Sequence, residues 1–135
     1  MSTGLKHHYT FEDYLGIEEE SDIRHEYFHG DIYAMVGGSL NHNRIKENVS
    51  RRLGNQLEGR GCQVLSSDTR VKTGSGLYTY PDVLALCTEP EIEIIQVKET
   101  LLNPALIVEV LSKSTEDYDK GDKFEHYKTI ESLSE

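Results

Sequence analysis

Tryptophan is absent from this chain, and proline, methionine and cysteine are scarce, at 3, 2 and 2 in 135 residues. With only Cys62 and Cys87, neither a multi-cysteine metal motif nor a disulfide framework is available. The pair reads as two core thiols in a reducing cytoplasm. Long apolar runs are missing as well. No segment approaches the roughly 18 apolar residues of a membrane span. The N-terminus lacks the charged-then-apolar pattern of a signal peptide. The expectation is a cytoplasmic protein with no membrane segment. Positive charge is in deficit: 14 Lys and Arg against 24 Asp and Glu give a net charge of −10. That argues against the broad basic surface of a nonspecific nucleic-acid binder, but leaves room for a local basic strip. The histidines lack the paired spacing of a zinc site. No P-loop glycine pattern and no nucleophile elbow are present.

What is present fits one globular domain over residues 1–135, with 36% hydrophobic and 28% charged residues. Its most informative residues are two acids in apolar surroundings. YPDVLALC, from Tyr80 to Cys87, reads as a strand carrying Asp82; NPALIVEVLS, from Asn103 to Ser112, reads as a strand carrying Glu109. A carboxylate inside a buried strand is costly unless something pairs with it. A divalent cation between the two acids pairs with both. Mg²⁺ suits such a site, because it takes one or two carboxylates and keeps waters or substrate phosphate in its octahedron. The Val110 carbonyl offers a further oxygen. The chemistry is metal-assisted phosphodiester hydrolysis. Lys123 or Lys120, on a helix expected over 118–132, would orient the attacking water or stabilise charge on the phosphorus oxygens.

Elsewhere the pattern predicts a helix from Thr10 to Leu15, capped by Thr10 with Asp13 three residues on. The acids Glu18, Glu19, Glu20 and Asp22 read as a solvated face. A hairpin is expected from Glu26 to Val36, turning at Gly30-Asp31. Glu26, at its mouth, is either an exposed strand end or a third acid near the metal. A helix follows from Asn41, its candidate cap, to Glu58, with Ile45, Val49, Leu53 and Leu57 as its apolar stripe. Arg44, Asn48, Arg51 and Asn55 gather on another face, which is either an ordinary wet surface or a grip on phosphates. His42 points toward the stripe side, as a satisfied core residue or a substrate contact. One or two strands are expected over 62–72. EIEIIQV is an edge strand or an excursion, and NPALIVEVLS belongs in the middle of a covered sheet. Ser114 and Asp117 have capping-box form before the last helix, with Phe124, Tyr127 and Ile130 at helical spacing. An α/β domain usually continues past such a helix with another strand, so the natural protein is expected to be longer.

YPDVLALC, NPALIVEVLSKST and DYDKGDKFEHYKTI, with YTFEDYL, HEYFHGDIYAM and NHNRI before them, resemble the Uma-two family of restriction-endonuclease-like proteins. That family is a branch of the PD-(D/E)XK nuclease superfamily. The resemblance implies an α+β restriction-endonuclease-like fold, a mixed central sheet flanked by helices. It also implies Mg²⁺-dependent DNA cleavage, with Mn²⁺ as a substitute, and a homodimer. Asp82 takes the PD position and Glu109 the acidic position. The superfamily lysine, two residues later, is Leu111 here; the resemblance moves that role to Lys123, four residues before Tyr127, with Lys120 as second choice. The site expected on these grounds is Asp82, Glu109 and Lys123 or Lys120 as catalytic residues. Asp82, Glu109, Val110 and Glu26 surround the metal, and Arg44, Arg51 and His42 face the substrate. Two other readings compete. A nuclease-like scaffold can serve as a DNA-associated or dimerising module that keeps its acids for a structural ion. Alternatively, the acids simply bridge to Arg44 or His42.

Overall fold

The computed structural model describes residues 8–113, 118 and 120–135. Helix α1 (Phe11–Glu20) begins where expected, with a reciprocal capping box between Thr10 and Asp13. It runs beyond Leu15 because its last turn is tied down. Glu18 accepts hydrogen bonds from the His25 backbone N–H (3.1 Å) and the Tyr80 hydroxyl (2.8 Å), and sits 2.7 Å from the His25 ring. Glu18 is therefore a half-buried structural acid and not part of a solvated face.

Strands β1 (His25–Phe28) and β2 (Asp31–Ala34) form the hairpin. Its turn residues are His29 and Gly30, both with positive φ (47° and 90°), one residue earlier than the expected turn. Helix α2 (Leu40–Leu57) is capped by Ser39, whose side chain accepts from the His42 N–H, and not by Asn41. It lies against β3 (Gln63–Ser66) and β6 (Val83–Leu86), yet none of its residues is fully buried. Ile45 of the apolar stripe is half exposed.

The remaining strands are β4 (Val71–Lys72), β5 (Tyr78–Thr79), β7 (Ile92–Ile95), β8 (Lys98–Leu101) and β9 (Leu106–Val108). They build a mixed six-stranded sheet, β2-β1-β5-β4-β8-β7, with β4 and β8 parallel, and an antiparallel three-stranded sheet, β3-β6-β9. EIEIIQV thus supplies an edge strand, β7. The strands carrying the two acids are shorter than expected. Pro81, which has no N–H for a ladder, stands before β6 with Asp82. β9 is an outer strand, only half buried, with Ser134 and Glu135 hydrogen-bonded to Ala105 and Ile107.

The last helix, α3 (Asp122–Tyr127), is also short. Tyr127 and Ile130 are buried, but Phe124 is 54% exposed. The Ser114–Asp117 cap lies outside the described residues.

Tyrosine does the packing that tryptophan would otherwise do. Tyr14, Leu15, Ile32 and Tyr78 form one core cluster with Phe11, Ile17 and Tyr27 against it. Buried Tyr14 donates its hydroxyl to the His25 carbonyl (2.7 Å), as burial demands, and half-buried Tyr27 donates to the Tyr9 carbonyl (2.5 Å). Val71, Leu84, Leu86, Leu101, Tyr127 and Ile130 make the second cluster, which joins both sheets to α3. Among the described residues, no helix is long and apolar enough to cross a membrane.

The cysteine expectation is corrected: Cys62 and Cys87 form a disulfide. Sheet register is the reason. Gln63 pairs with Leu86, so the next position outward sets Cys62 opposite Cys87, with Cα atoms 4.0 Å apart. Neither is a core thiol, since Cys87 is exposed and Cys62 half-buried. The bond spans a sequence separation of 25 residues. Closing a loop of that length removes denatured-state entropy worth about 3 kcal/mol. Urea unfolding should show a loss of that order in Cys62→Ser/Cys87→Ser, and in wild type under dithiothreitol. Identical midpoints with and without reductant would show that the bond stabilises nothing.

Candidate active site

β6 and β9 place the two acids. Val83 pairs with Val108 at the end of their antiparallel ladder, so one step further Asp82 stands in register with Glu109. Antiparallel partners at one register position project to the same face. Asp82 is anchored there by the Val110 N–H, which donates to its Oδ2 at 2.8 Å. His42, at the start of α2, brings its Nε2 to 3.4 Å from the same oxygen. Its ring lies directly over Gly38, where any Cβ would collide with it, and its buried Nδ1 has no hydrogen-bond partner among the described residues.

Glu109 is held from α3. The Tyr127 hydroxyl donates to its Oε1 at 2.6 Å, and Lys123 Nζ lies 3.3 Å from that oxygen. Burial, and then the Glu109 charge, hold the Tyr127 phenol far above its ordinary range, so it stays a donor. Lys123 is 3% exposed. Its ammonium also lies 3.5 Å from Glu26 Oε2 and near the rings of Tyr118 and Tyr127 (5.8 and 5.9 Å). Glu26, far from an exposed strand end, is equally buried at 3%. It accepts from the Thr79 and Tyr118 hydroxyls, the latter at 3.0 Å. The chain Glu26–Lys123–Glu109 thus links β1, α3 and the end of β9.

These groups open onto one cleft of about 600 Å³, lined by Glu26, His42, Lys46, Tyr80, Asp82, Glu109, Val110, Tyr118 and Lys123. Of the residues singled out in the sequence, Asp82, Glu109, Val110, Glu26, His42 and Lys123 share this space. Arg44 and Arg51 do not. They lie exposed on α2, bonded to Asn41 (3.5 Å) and Asn48 (3.0 Å) of their own helix. Lys120 is exposed and absent from the cleft lining. The bridge to Arg44 is not formed, while the contact of Asp82 with His42 is. Sequence reasoning missed Lys46, Arg24, Tyr80 and Tyr118, which also line the cleft. Lys46 had a signal, since it stands one helical turn after His42. Arg24 and Tyr80 had none, because only the fold carries them there.

The donor chemistry bears on a metal. Among the described residues, no group of three or more His, Cys, Asp or Glu side chains is arranged to hold an ion. Both oxygens of Glu26 are already engaged, one by Thr79 and Lys123 and the other by Tyr118, which argues against its expected place at the metal. What remains is two carboxylates beside Val110, whose carbonyl would add a third hard oxygen. That set does not make a closed cage, but it fits a cation such as Mg²⁺, which completes its shell with water and phosphate.

Two proteins of Synechocystis sp. (strain ATCC 27184 / PCC 6803 / Kazusa) are similar in sequence. One, "Uncharacterized protein slr1290", is 43% identical over 117 residues, 86% of this chain and 60% of its own length. The other, "Uncharacterized protein sll1609", is 38% identical over 127 residues, 93% of this chain and 71% of its own length. The chain therefore spans less than two thirds of the first relative. In structure it is similar to "a putative nuclease belonging to DUF820" from Anabaena variabilis ATCC 29413, with a TM-score of 0.69 and 18% identity over 88% of this chain and 67% of that one. At that identity the likeness shows a shared fold, an α+β architecture with a mixed sheet and helices. The family model described as "Putative restriction endonuclease" matches residues 11–135, and the chain belongs to that family, Uma2.

Proposed function

We propose that this chain is a divalent-metal-dependent endonuclease that hydrolyses DNA phosphodiester bonds. The observation that carries the reading is the meeting, in one cleft, of two register-matched carboxylates and a buried lysine ion-paired to one of them. A buried lysine beside a carboxylate is costly to maintain without a use.

In this reading Asp82 and Glu109, with the Val110 carbonyl, hold Mg²⁺ or Mn²⁺. When bound, the cation lowers the pKa of a water and neutralises charge on the phosphodiester. The Val110 N–H fixes one oxygen of Asp82, so the carboxylate keeps its aim without substrate. Tyr127 does the same for Glu109. Lys123, an ammonium point charge in a site shielded from water, stabilises the negative charge that builds on the phosphorus oxygens. Glu26 holds that ammonium in place. His42 steadies Asp82 from the mouth of the cleft. Lys46 supplies positive charge on the cleft wall, where Arg24 is paired with Asp68 at 2.7 Å. Arg44 and Arg51 would meet only phosphates lying beyond the cleft. The homodimer belongs to the same proposal, as the means of addressing two strands.

The test is cleavage of supercoiled plasmid with Mg²⁺ or Mn²⁺, wild type beside Glu109→Gln, each purified identically. Metal-dependent nicking by wild type alone is expected. Equal nicking by both would identify a contaminating nuclease and remove the reading.

A further inference from the structure

We propose that Gly74 and Ser75, in the loop between β4 and β5, are positioning residues for Lys123, a role that rests on the reading that Lys123 serves the reaction. Helix α3 has only six residues, and its N-cap, Gly121, makes no side-chain capping bond. A helix so short does not hold itself together in water. Its place must come from what it touches.

Away from the cleft, α3 and the turn that follows it are held by the β4–β5 loop. The Ser75 N–H donates to Thr129 Oγ1 at 3.0 Å, and Ser75 Oγ lies 2.7 Å from Nδ1 of His126. Thr73 Oγ1 lies 2.7 Å from Ser75 Oγ and accepts from the Leu77 N–H at 3.0 Å, so the serine is itself fixed. Gly74 runs directly beneath the Thr129 carbonyl, where a Cβ would strike backbone. The Phe28 ring closes against His126 edge-on, with centroids 4.8 Å apart. His126 follows Lys123 by three residues, so whatever fixes the imidazole fixes the rotation of the helix that presents the ammonium.

The same hairpin also sets the lysine's counter-ion. Thr79, in β5, donates its hydroxyl to Glu26. One end of the hairpin thus anchors the helix that carries Lys123, and the other anchors the carboxylate facing it. The geometry is that of a latch: a loop outside the cleft lining determines whether the ammonium stands between Glu26 and Glu109.

Two variants test this, each compared with wild type: Ser75→Ala, which removes the hydroxyl without adding bulk, and Gly74→Ala, which adds a methyl under Thr129. Ser75→Thr serves as the conservative control. Lys123 reactivity is read first, by brief acetic anhydride labelling and mass spectrometry of the peptide that contains it. With the latch broken, labelling of Lys123 should rise about fivefold or more as the helix samples open states. Ser75→Thr should stay near the wild-type value. In the plasmid assay, kcat should fall about tenfold with KM nearly unchanged, since misplacing a catalytic group by a fraction of an ångström costs rate more than binding. Unchanged labelling in Ser75→Ala overturns the latch, even if Gly74→Ala fails to fold. Increased labelling with full cleavage upholds the latch and instead removes Lys123 from the reaction.

Discussion

Asp82→Asn is expected to abolish metal-dependent cleavage while leaving the fold almost untouched. The amide has the size and shape of the carboxylate. Its oxygen can still accept from the Val110 N–H, which holds Asp82 Oδ2 at 2.8 Å in the wild type. It can also accept from His42, 3.4 Å away. Replacing a charged acceptor by a neutral one in bonds of this kind costs about 1 kcal/mol. The reaction loses more. A bound cation contributes several kcal/mol of transition-state stabilisation, and each 1.4 kcal/mol is tenfold in rate, so removing one of two anionic ligands should cost at least about 100-fold. Plasmid nicking at saturating Mn²⁺, beside a thermal melt of the same preparation, separates the two quantities. Cleavage within about threefold of wild type would mean that Asp82 holds no catalytic cation, since a metal that activates water and shields phosphate charge cannot lose an anionic ligand so cheaply.

Lys123→Met should cost both stability and cleavage, and the double variant Lys123→Met/Glu26→Gln should restore only the stability. Lys123 and Glu26 are both 3% exposed, and their charged atoms are 3.5 Å apart. Methionine fills the space of the lysine stem but leaves Glu26 ionised and buried without its cation. Removing one partner of a buried pair costs about 3–5 kcal/mol, because the remaining charge is uncompensated. In the double variant the glutamine that replaces Glu26 would carry no charge; its oxygen could accept from one of the Thr79 and Tyr118 hydroxyls while its NH2 donates to the other. Most of the lost stability should return in urea unfolding, while cleavage stays lost because the ammonium is gone. If the double variant is no more stable than the single one, the pair is not what holds α3 to β1.

The local elements follow from local chemistry. Thr10 and Asp13 mark the start of α1 because a capping box is a contact between residues three apart. Asp82 and Glu109 stand out because they are acids among Val, Leu and Ile, a mismatch that needs no fold to be visible. Lys123 is four residues before Tyr127, and both prove to face the same carboxylate. Other readings failed where a distant partner changed a residue's surroundings. Glu18 looked like part of a wet acidic run, but Tyr80, 62 positions away in the chain, takes one of its oxygens. Cys62 and Cys87 looked like separate thiols until the β3–β6 register set them opposite each other.

The α2 cap and the hairpin turn fall one or two residues from their expected positions, but residues chemically out of place, and the start of α1, were legible in the unfolded string of amino acids. Those are matters of side-chain character and of contacts spanning a few residues. It took the folded chain to show that Glu26 faces a lysine, that Arg44 and Arg51 stay outside the cleft, and that a loop at Gly74 and Ser75 bonds to the helix of Lys123 and the turn after it. Burial and pairing are properties of neighbours in space. A carboxylate's role depends on what stands within a few ångströms of it, and strand pairing and helix docking bring those neighbours from far along the chain.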